Sequence, residues 1–174
     1  NLCRIVEMLG EVKVPVFSIR CFWAESLVKQ PRPGWSERQG RGGYKYPAFN
    51  IDALESVTDQ PEVLITADEL WDNLIKIHRQ VVPVAERAGV KLAMHGNDPP
   101  LYRACGNPQV LCRYADFDRL FSDVPSPNSG MTFCLGTRYE SGEDVFAGIE
   151  RFGRQGKIFY VDFRNVRGTL PRTR

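Results

Sequence analysis

The sequence has no long hydrophobic run. None of its apolar stretches approaches the roughly 20 residues needed to cross a bilayer, and no charged segment followed by an apolar one opens the chain. We therefore expect neither a membrane span nor a signal peptide. An excess of one charge is also lacking, because 23 Lys and Arg stand against 21 Asp and Glu. This balance, a formal net charge of +2, gives no support for a nucleic-acid partner.

The composition has few extremes. With 43% hydrophobic and 25% charged residues among 174, it excludes disordered, collagen-like and coiled-coil proteins and predicts one globular domain. The five cysteines are odd in number and form no CxxC pair, which argues against a disulfide framework. A reducing, cytoplasmic location fits this pattern. We interpret four of them as structural, namely Cys3, Cys21, Cys105 and Cys112.

Hydrophobic spacing at the start of the chain predicts a helix, a strand and a long loop. Apolar residues recur at helical spacing from Leu2 to Leu9, and a β-branched run follows from Val12 to Phe17. The segment 23–49 carries glycines, prolines and many charges and fits neither period. Loops of this length in compact domains are usually functional or disordered, so we expect this loop to be mobile without substrate.

A long helix is predicted to begin after Thr66, whose hydroxyl can form a capping box with the carboxylate of Glu69. An apolar stripe continues from there to Gly89, the residue expected to end the helix. Pro83 lies inside the stripe and is expected to kink or divide the helix. For His78, on the same helix, we expect a solvent-facing or capping position and no chemistry.

Helix and strand patterns alternate through the rest of the chain. The strand candidates are the short apolar runs 90–94, 131–134 and 158–161, and helical spacing is found at 116–123 and 145–152. No hairpin signal interrupts this order. Such alternation predicts an α/β fold with parallel strands and crossover helices.

Three of these strands end in residues of the kinds that bind metals. His95 closes one strand, Cys134 lies where the next one ends, and Asp162 closes the last. Ligands of such folds lie beyond the carboxyl ends of the strands, so an imidazole, a thiolate and a carboxylate would meet at one mouth. A single histidine or cysteine is more often packed than metal-bound, but their coincidence at equivalent strand ends favours a divalent transition-metal site.

Other candidates carry weaker signals. The glycine-rich segment 40–43 lacks the remaining residues of a phosphate loop, so we expect a flexible loop that offers Arg41 to an anionic substrate. Asp98 either orients the His95 imidazole, binds a substrate hydroxyl or only caps its turn. Arg164 and Asn165 are candidates for holding a substrate carboxylate or hydroxyls, the alternative being a surface arginine paired with a nearby acid.

Several short segments, taken in order, resemble the mannonate dehydratase family. The turn that begins at His95 has the sequence HGNDPP and matches the HPDDPP pattern of that family at four of six positions. The further similar segments are 41–43, 82–86, 125–128, 132–134 and 163–168. The likeness extends from about Leu2 to Pro171, and many ordered short matches are more specific than any single one.

The resemblance implies a (β/α)8 TIM barrel, of which residues 1–174 would supply about half as one partial domain. It implies an enzyme of hexuronate and glucuronate catabolism that removes water from the sugar acid D-mannonate to give 2-keto-3-deoxy-D-gluconate, with Mn²⁺ or Fe²⁺. Carried over by position, His95 and Cys134 are metal ligands, and Asp162 stands where the family has a second histidine. We expect the intact enzyme to be a homo-oligomer.

The rest of the family's site is expected outside the chain. The remaining metal carboxylate and the proton-transfer groups would lie beyond Arg174, and earlier strands before Asn1, so we expect the 174-residue chain alone to be inactive. Two alternatives stay open. One is a non-catalytic fragment or divergent remnant of the family, and the other is a different metal-dependent sugar-acid dehydratase or isomerase on the same barrel.

Overall fold

The computed structural model describes residues 1–20, 34–55, 65–104 and 107–170. The helices are α1 (Leu2–Glu11), α2 (Ile51–Glu55), α3 (Ala67–Ala88), α4 (Tyr114–Asp123), α5 (Leu135–Glu140) and α6 (Val145–Arg154). The strands are β1 (Val16–Arg20), β2 (Trp35–Gln39), β3 (Lys45–Phe49), β4 (Lys91–His95), β5 (Arg103–Ala104), β6 (Asn107–Pro108), β7 (Ser129–Cys134) and β8 (Ile158–Asp162).

Four strands form one parallel sheet in the order β1-β4-β7-β8. Helix α3 lies between β1 and β4 in the chain, α4 between β4 and β7, and α5 with α6 between β7 and β8. The prediction of four parallel strands joined by crossover helices is therefore confirmed. Because the strands are parallel, their carboxyl ends meet at one edge of the sheet.

The two central strands explain where the core lies. Every residue of β7 is buried, and in β4 only Lys91 is partly exposed, as expected for parallel strands covered on both faces. Leu92 and Met131 from these strands pack with Phe117 of α4 and Phe152 of α6 in the main hydrophobic cluster. The end strands β1 and β8 are only partly buried. The core is therefore centred on β4 and β7.

Helix α3 begins and ends as its sequence predicts. The Thr66 amide donates to Glu69 Oε2 at 2.8 Å, and the Glu69 amide donates to Thr66 Oγ1 at 3.2 Å, which completes the capping box. Gly89 ends the helix in the left-handed conformation with φ of +68°. Pro83 was expected to kink or divide the helix, and division is wrong, because the 22-residue α3 continues unbroken through it. Proline has no backbone N–H and so cannot donate the usual helical hydrogen bond. Burial of one apolar side of α3 against the core offsets this loss.

Two hairpins correct the prediction of an uninterrupted helix–strand order. In the segment expected to be a loop, β2 and β3 pair antiparallel around a 3-10 turn at Arg41–Gly43, with the rings of Trp35 and Phe49 5.4 Å apart. The shorter strands β5 and β6 form a second hairpin. Most residues of β2 and β3 are exposed, so they lack the alternation of apolar and polar residues that reveals a half-buried strand. The part of the predicted loop at 23–33 lies outside the described residues.

Within the described part of the chain, no helix combines the length and the apolar character that a membrane span requires.

Candidate metal centre

His95, Cys134 and Asp162 meet at the carboxyl edge of the parallel sheet. They are the last residues of β4, β7 and β8, and Cys134 and Asp162 are directly paired in register. One ligand atom from each side chain lies within 4.8 Å of the other two. The strand-end argument thus brings together an imidazole nitrogen, a thiol sulfur and a carboxylate oxygen.

The His95 ring is held on both of its nitrogens. Nδ1 lies 2.5 Å from the carbonyl oxygen of Gly96, and Nε2 lies 3.0 Å from Oδ2 of Asp162. A carbonyl oxygen only accepts, so it fixes a hydrogen on Nδ1. In the neutral ring, Nε2 then faces the Asp162 carboxylate acceptor to acceptor. A cation shared by the two atoms, or a proton on the ring, removes that conflict.

Cys134 has the environment of a reactive thiol. Burial by itself would raise its pKa, but hydrogen bonding to His95 and Thr137 and the charge of Arg164 outweigh burial and lower the pKa. The Thr137 hydroxyl donates to Cys134 Sγ at 3.1 Å. Cys112, in contrast, has its pKa raised to about 12, first by burial and then by the charge of Asp116. The thiolate is therefore favoured at Cys134 and disfavoured at Cys112.

Asp162 lies at the rim of the cluster, and its side chain is 30% exposed. Its Oδ2 is also 3.6 Å from Nη2 of Arg20, at the end of the neighbouring strand β1. The carboxylate therefore faces the buried imidazole on one side and a partly exposed guanidinium on the other.

The three residues fit a divalent transition metal. His95 Nε2 and Asp162 Oδ2 are 3.0 Å apart, close enough for both to contact one ion at the usual donor distance of about 2.0–2.2 Å. A mixed nitrogen, sulfur and oxygen set suits ions such as Mn²⁺, Fe²⁺ and Zn²⁺, whereas Mg²⁺ prefers oxygen alone. The favoured thiolate of Cys134 and the carboxylate of Asp162 are anionic donors whose charge a divalent cation would balance.

Arg164 forms the wall beside the cluster. Its Nη1 donates to Asp98 Oδ2 at 2.5 Å, and its Nη2 donates to Glu140 Oε1 at 3.0 Å and to Thr137 Oγ1 at 3.3 Å. Gly136 makes this approach possible, because a Cβ there would overlap Arg164 Nε. Of the two roles predicted for Arg164, substrate binding or pairing with an acid, the structure shows pairing, with both Asp98 and Glu140.

The remaining predicted site residues, Asp98, Arg41 and Asn165, are not members of the three-residue cluster. The contacts that fix the His95 imidazole come from Gly96 and Asp162, and Asp98 pairs with Arg164 instead. Arg41 is exposed at the tip of the β2–β3 hairpin, and Asn165 is exposed after β8. Their substrate contacts stay predictions.

Sequence reasoning missed Glu140 and misplaced His78. Glu140 ends the short helix α5, whose six residues carry too little periodicity to predict. His78 is buried, with Nε2 2.8 Å from the hydroxyl oxygen of Ser129, so the expectation of a solvent-facing or capping position is wrong. Its only sequence signal was its place on the apolar side of α3, one turn before Val82. The His78 ring therefore provides a hydrogen-bond partner for the buried Ser129 hydroxyl inside the core.

Comparison with known families and proteins agrees with this geometry. Residues 36–172 match the family model described as D-mannonate dehydratase (UxuA). Mannonate dehydratase 2 of Halalkalibacterium halodurans is 36% identical over 142 residues, which are 81% of this chain and 38% of that protein. Mannonate dehydratase of Thermotoga petrophila is 33% identical over 135 residues, 76% of this chain and 37% of that protein. The chain thus spans less than two-fifths of the length of either relative.

Solved structures show the same fold. The crystal structure of mannonate dehydratase from Streptococcus suis serotype 2 superposes with a TM-score of 0.71 at 24% identity, over 92% of this chain and 46% of that chain. A D-tagatose 3-epimerase-like protein superposes with a TM-score of 0.55 at 17% identity, over 91% of this chain and 44% of that one. The described strands and helices therefore form about half of a (β/α)8 barrel, as the family resemblance implied.

Proposed function

This chain belongs to the D-mannonate dehydratase family. We propose that it is part of a metal-dependent hydro-lyase that converts D-mannonate to 2-keto-3-deoxy-D-gluconate and water. The observation that carries this proposal is the convergence of His95, Cys134 and Asp162 at the carboxyl edge of the sheet. Loss of water from a sugar acid needs removal of the C2 proton and departure of the C3 hydroxyl, and it needs no redox cofactor. Residues 1–174 would form part of a single barrel domain.

The three side chains would hold the ion, Mn²⁺ or Fe²⁺. Bound there, the ion would act as a Lewis acid towards the carboxylate and adjacent hydroxyl of the sugar acid and make the C2 proton more acidic. His95 offers Nε2 because Gly96 occupies Nδ1, Cys134 offers a favoured thiolate, and Asp162 offers its carboxylate. Thr137 orients the sulfur through its hydroxyl. Proton transfer to and from the substrate is assigned to groups beyond Arg174.

Further parts of the proposal follow from the family. The enzyme would act in hexuronate and glucuronate catabolism in the cytoplasm, as a homo-oligomer, on a small sugar acid and without nucleic acid or membrane partners. Arg41, Asp98, Arg164 and Asn165 stay candidates for contact with the sugar acid. Of these, Arg164 and Asp98 lie beside the metal-ligand cluster.

The proposal is tested by turnover. Purified protein extended to the length of its relatives, with residues 1–174 in place, is incubated with D-mannonate and either Mn²⁺ or Fe²⁺. The 2-keto-3-deoxy product is measured, with other aldonates and a ketose isomerisation assay alongside. Of the substrates tested, we expect only D-mannonate to give product, and we expect Cys134→Ser to abolish this turnover. Cys112→Ser is the matched control, because its hydroxyl can keep the hydrogen bond to the Leu101 carbonyl and the residue lies outside the cluster. Turnover of another aldonate or of a ketose in place of D-mannonate would overturn the assignment.

A further inference from the structure

Arg164 joins two carboxyl groups from different parts of the chain. Asp98 follows β4 and Glu140 ends α5, and each uses one oxygen to accept from a different nitrogen of the Arg164 guanidinium. The side chains of Asp98 and Glu140 are only 10% and 18% exposed. The fork of one guanidinium therefore holds two largely buried carboxyl groups side by side.

The second oxygen of each carboxyl group is buried without a hydrogen-bond donor in the described part of the chain. Asp98 Oδ1 and Glu140 Oε2 are both buried and have no hydrogen-bond donor among the described residues. A buried acceptor without a donor is costly, and two ionised carboxylates in contact repel each other. One proton between the two groups satisfies both oxygens and removes the repulsion.

We propose that Glu140 is protonated at neutral pH and donates a hydrogen bond to Asp98, so that the two carboxyl groups and Arg164 form a locked cluster with no net charge. Glu140 is in this view a positioning residue, acting on the site through Arg164. The surroundings of Glu140 favour its protonated form. The charged and titratable groups that face it are Asp98, Arg164 and Cys134, and its pKa is raised first by burial, then by the charge of Asp98, with a hydrogen bond to Asp98 adding to the shift.

The role of this proton in catalysis rests on the proposed function. The mouth already holds the Asp162 carboxylate and the favoured thiolate of Cys134, and the substrate is an anion. With Glu140 ionised, the Arg164 cluster would carry a net negative charge and would repel the sugar acid. With Glu140 protonated, the negative charge of Asp98 balances the positive charge of Arg164, and the cluster has no net charge to repel the sugar acid.

Infrared spectroscopy tests the proton directly and needs neither metal nor substrate. A protonated carboxyl group absorbs at a higher frequency than a carboxylate, and we expect the protein at neutral pH to show such a band. Glu140→Gln should remove the band, because the amide can imitate the protonated carboxyl without absorbing there. Glu150→Gln is the control, since Glu150 is exposed and paired with Arg154 on α6. A neutral-pH spectrum without the band, or loss of it in both variants, would overturn the proposal.

A second measurement separates positioning from a merely structural role. In the protein extended to the length of its relatives, KM for the sugar acid should rise several-fold as Glu140 ionises above neutral pH, while kcat changes less. Glu140→Gln should remove this pH dependence of KM. Should the infrared band be present while the extended protein does not turn over D-mannonate, the proposed function fails and the protonated pair stands. An unchanged pH profile of KM in Glu140→Gln would show that the proton has no role in substrate binding.

Discussion

Two aspartates with similar surroundings differ in what they contact. Asp162 and Asp118 each have side chains 30% exposed, and each pairs with a partly exposed arginine, Arg20 and Arg151. Only Asp162 also lies against His95 and Cys134. Position in the sheet, rather than burial, therefore sets Asp162 apart.

This pair of residues gives a matched test of the metal centre. We expect Asp162→Asn to weaken binding of Mn²⁺ or Fe²⁺ by at least about tenfold, because a neutral amide replaces an anionic donor. Asp118→Asn should leave the affinity unchanged. Isothermal titration of the apoprotein with each metal measures both. Equal affinities in the two variants would remove Asp162 from the ligand set.

His78 should make stability depend on pH. Burial first, and then the charge of Lys157, lower its pKa from 6.5 to about 4. The folded state therefore resists protonation, while the unfolded chain gains a proton below pH 6.5. The stability that His78 contributes is complete above about pH 6.5 and is lost as the pH falls towards 4, by up to roughly 3 kcal/mol.

Urea unfolding at several pH values measures this dependence. In His78→Gln the decline between pH 6.5 and 4 should become shallower, because glutamine does not titrate. Arg79→Gln, the next residue on α3, is the control and should keep the slope of the unaltered protein. A His78→Gln variant with an unchanged slope would assign the acid sensitivity to other groups.

At the scale of the element, two glycines with open space around them have opposite effects on their helices. Gly89 ends α3 at φ of +68°, and Gly153 lies inside α6. A Cβ at either position would meet no atom within 4 Å. Packing is therefore equal, and only backbone conformation distinguishes them.

We expect Gly89→Ala to lower the free energy of unfolding by about 1–2 kcal/mol, since alanine is strained in the left-handed region. Gly153→Ala should raise it by up to about 1 kcal/mol, because alanine favours the helix. Denaturant unfolding of the two variants gives both values. The same sign for both substitutions would contradict this account of how α3 ends.

The elements also show where sequence reasoning succeeds. Helix α3 and strands β4, β7 and β8 were predictable because their apolar residues follow one period and pack on one core. Hairpin β2–β3 was not, since most of its residues are exposed and carry no such period. The meeting of His95, Cys134 and Asp162 was predictable because each lies at the carboxyl end of a parallel strand. The partners of Arg164 lie 66 and 24 residues away in the sequence, one in the turn after β4 and one at the end of α5, and leave no local signal.

At the scale of the whole molecule, the sheet has two open edges. Among the described residues, β1 and β8 are the end strands, and each pairs on one side only. Exposed aromatic side chains accompany β8, with Tyr160 50% and Phe163 91% exposed. Open edges with apolar side chains promote association between chains. The matched relatives are more than twice as long, which leaves room for strands that cover these edges.

We therefore expect the 174-residue chain, produced by itself, to self-associate and to dehydrate D-mannonate far more slowly than a protein extended to the length of its relatives. Sedimentation velocity over a range of concentrations measures the first effect, and the product assay with Mn²⁺ measures the second. Tyr160→Lys places a charge on the exposed edge and should reduce association without restoring turnover. This outcome would separate the two causes, because the proposed function places the proton-transfer groups beyond Arg174, and a monomeric chain would still be without them. A monomer that turns over as fast as the extended protein would instead place those groups among residues 1–174.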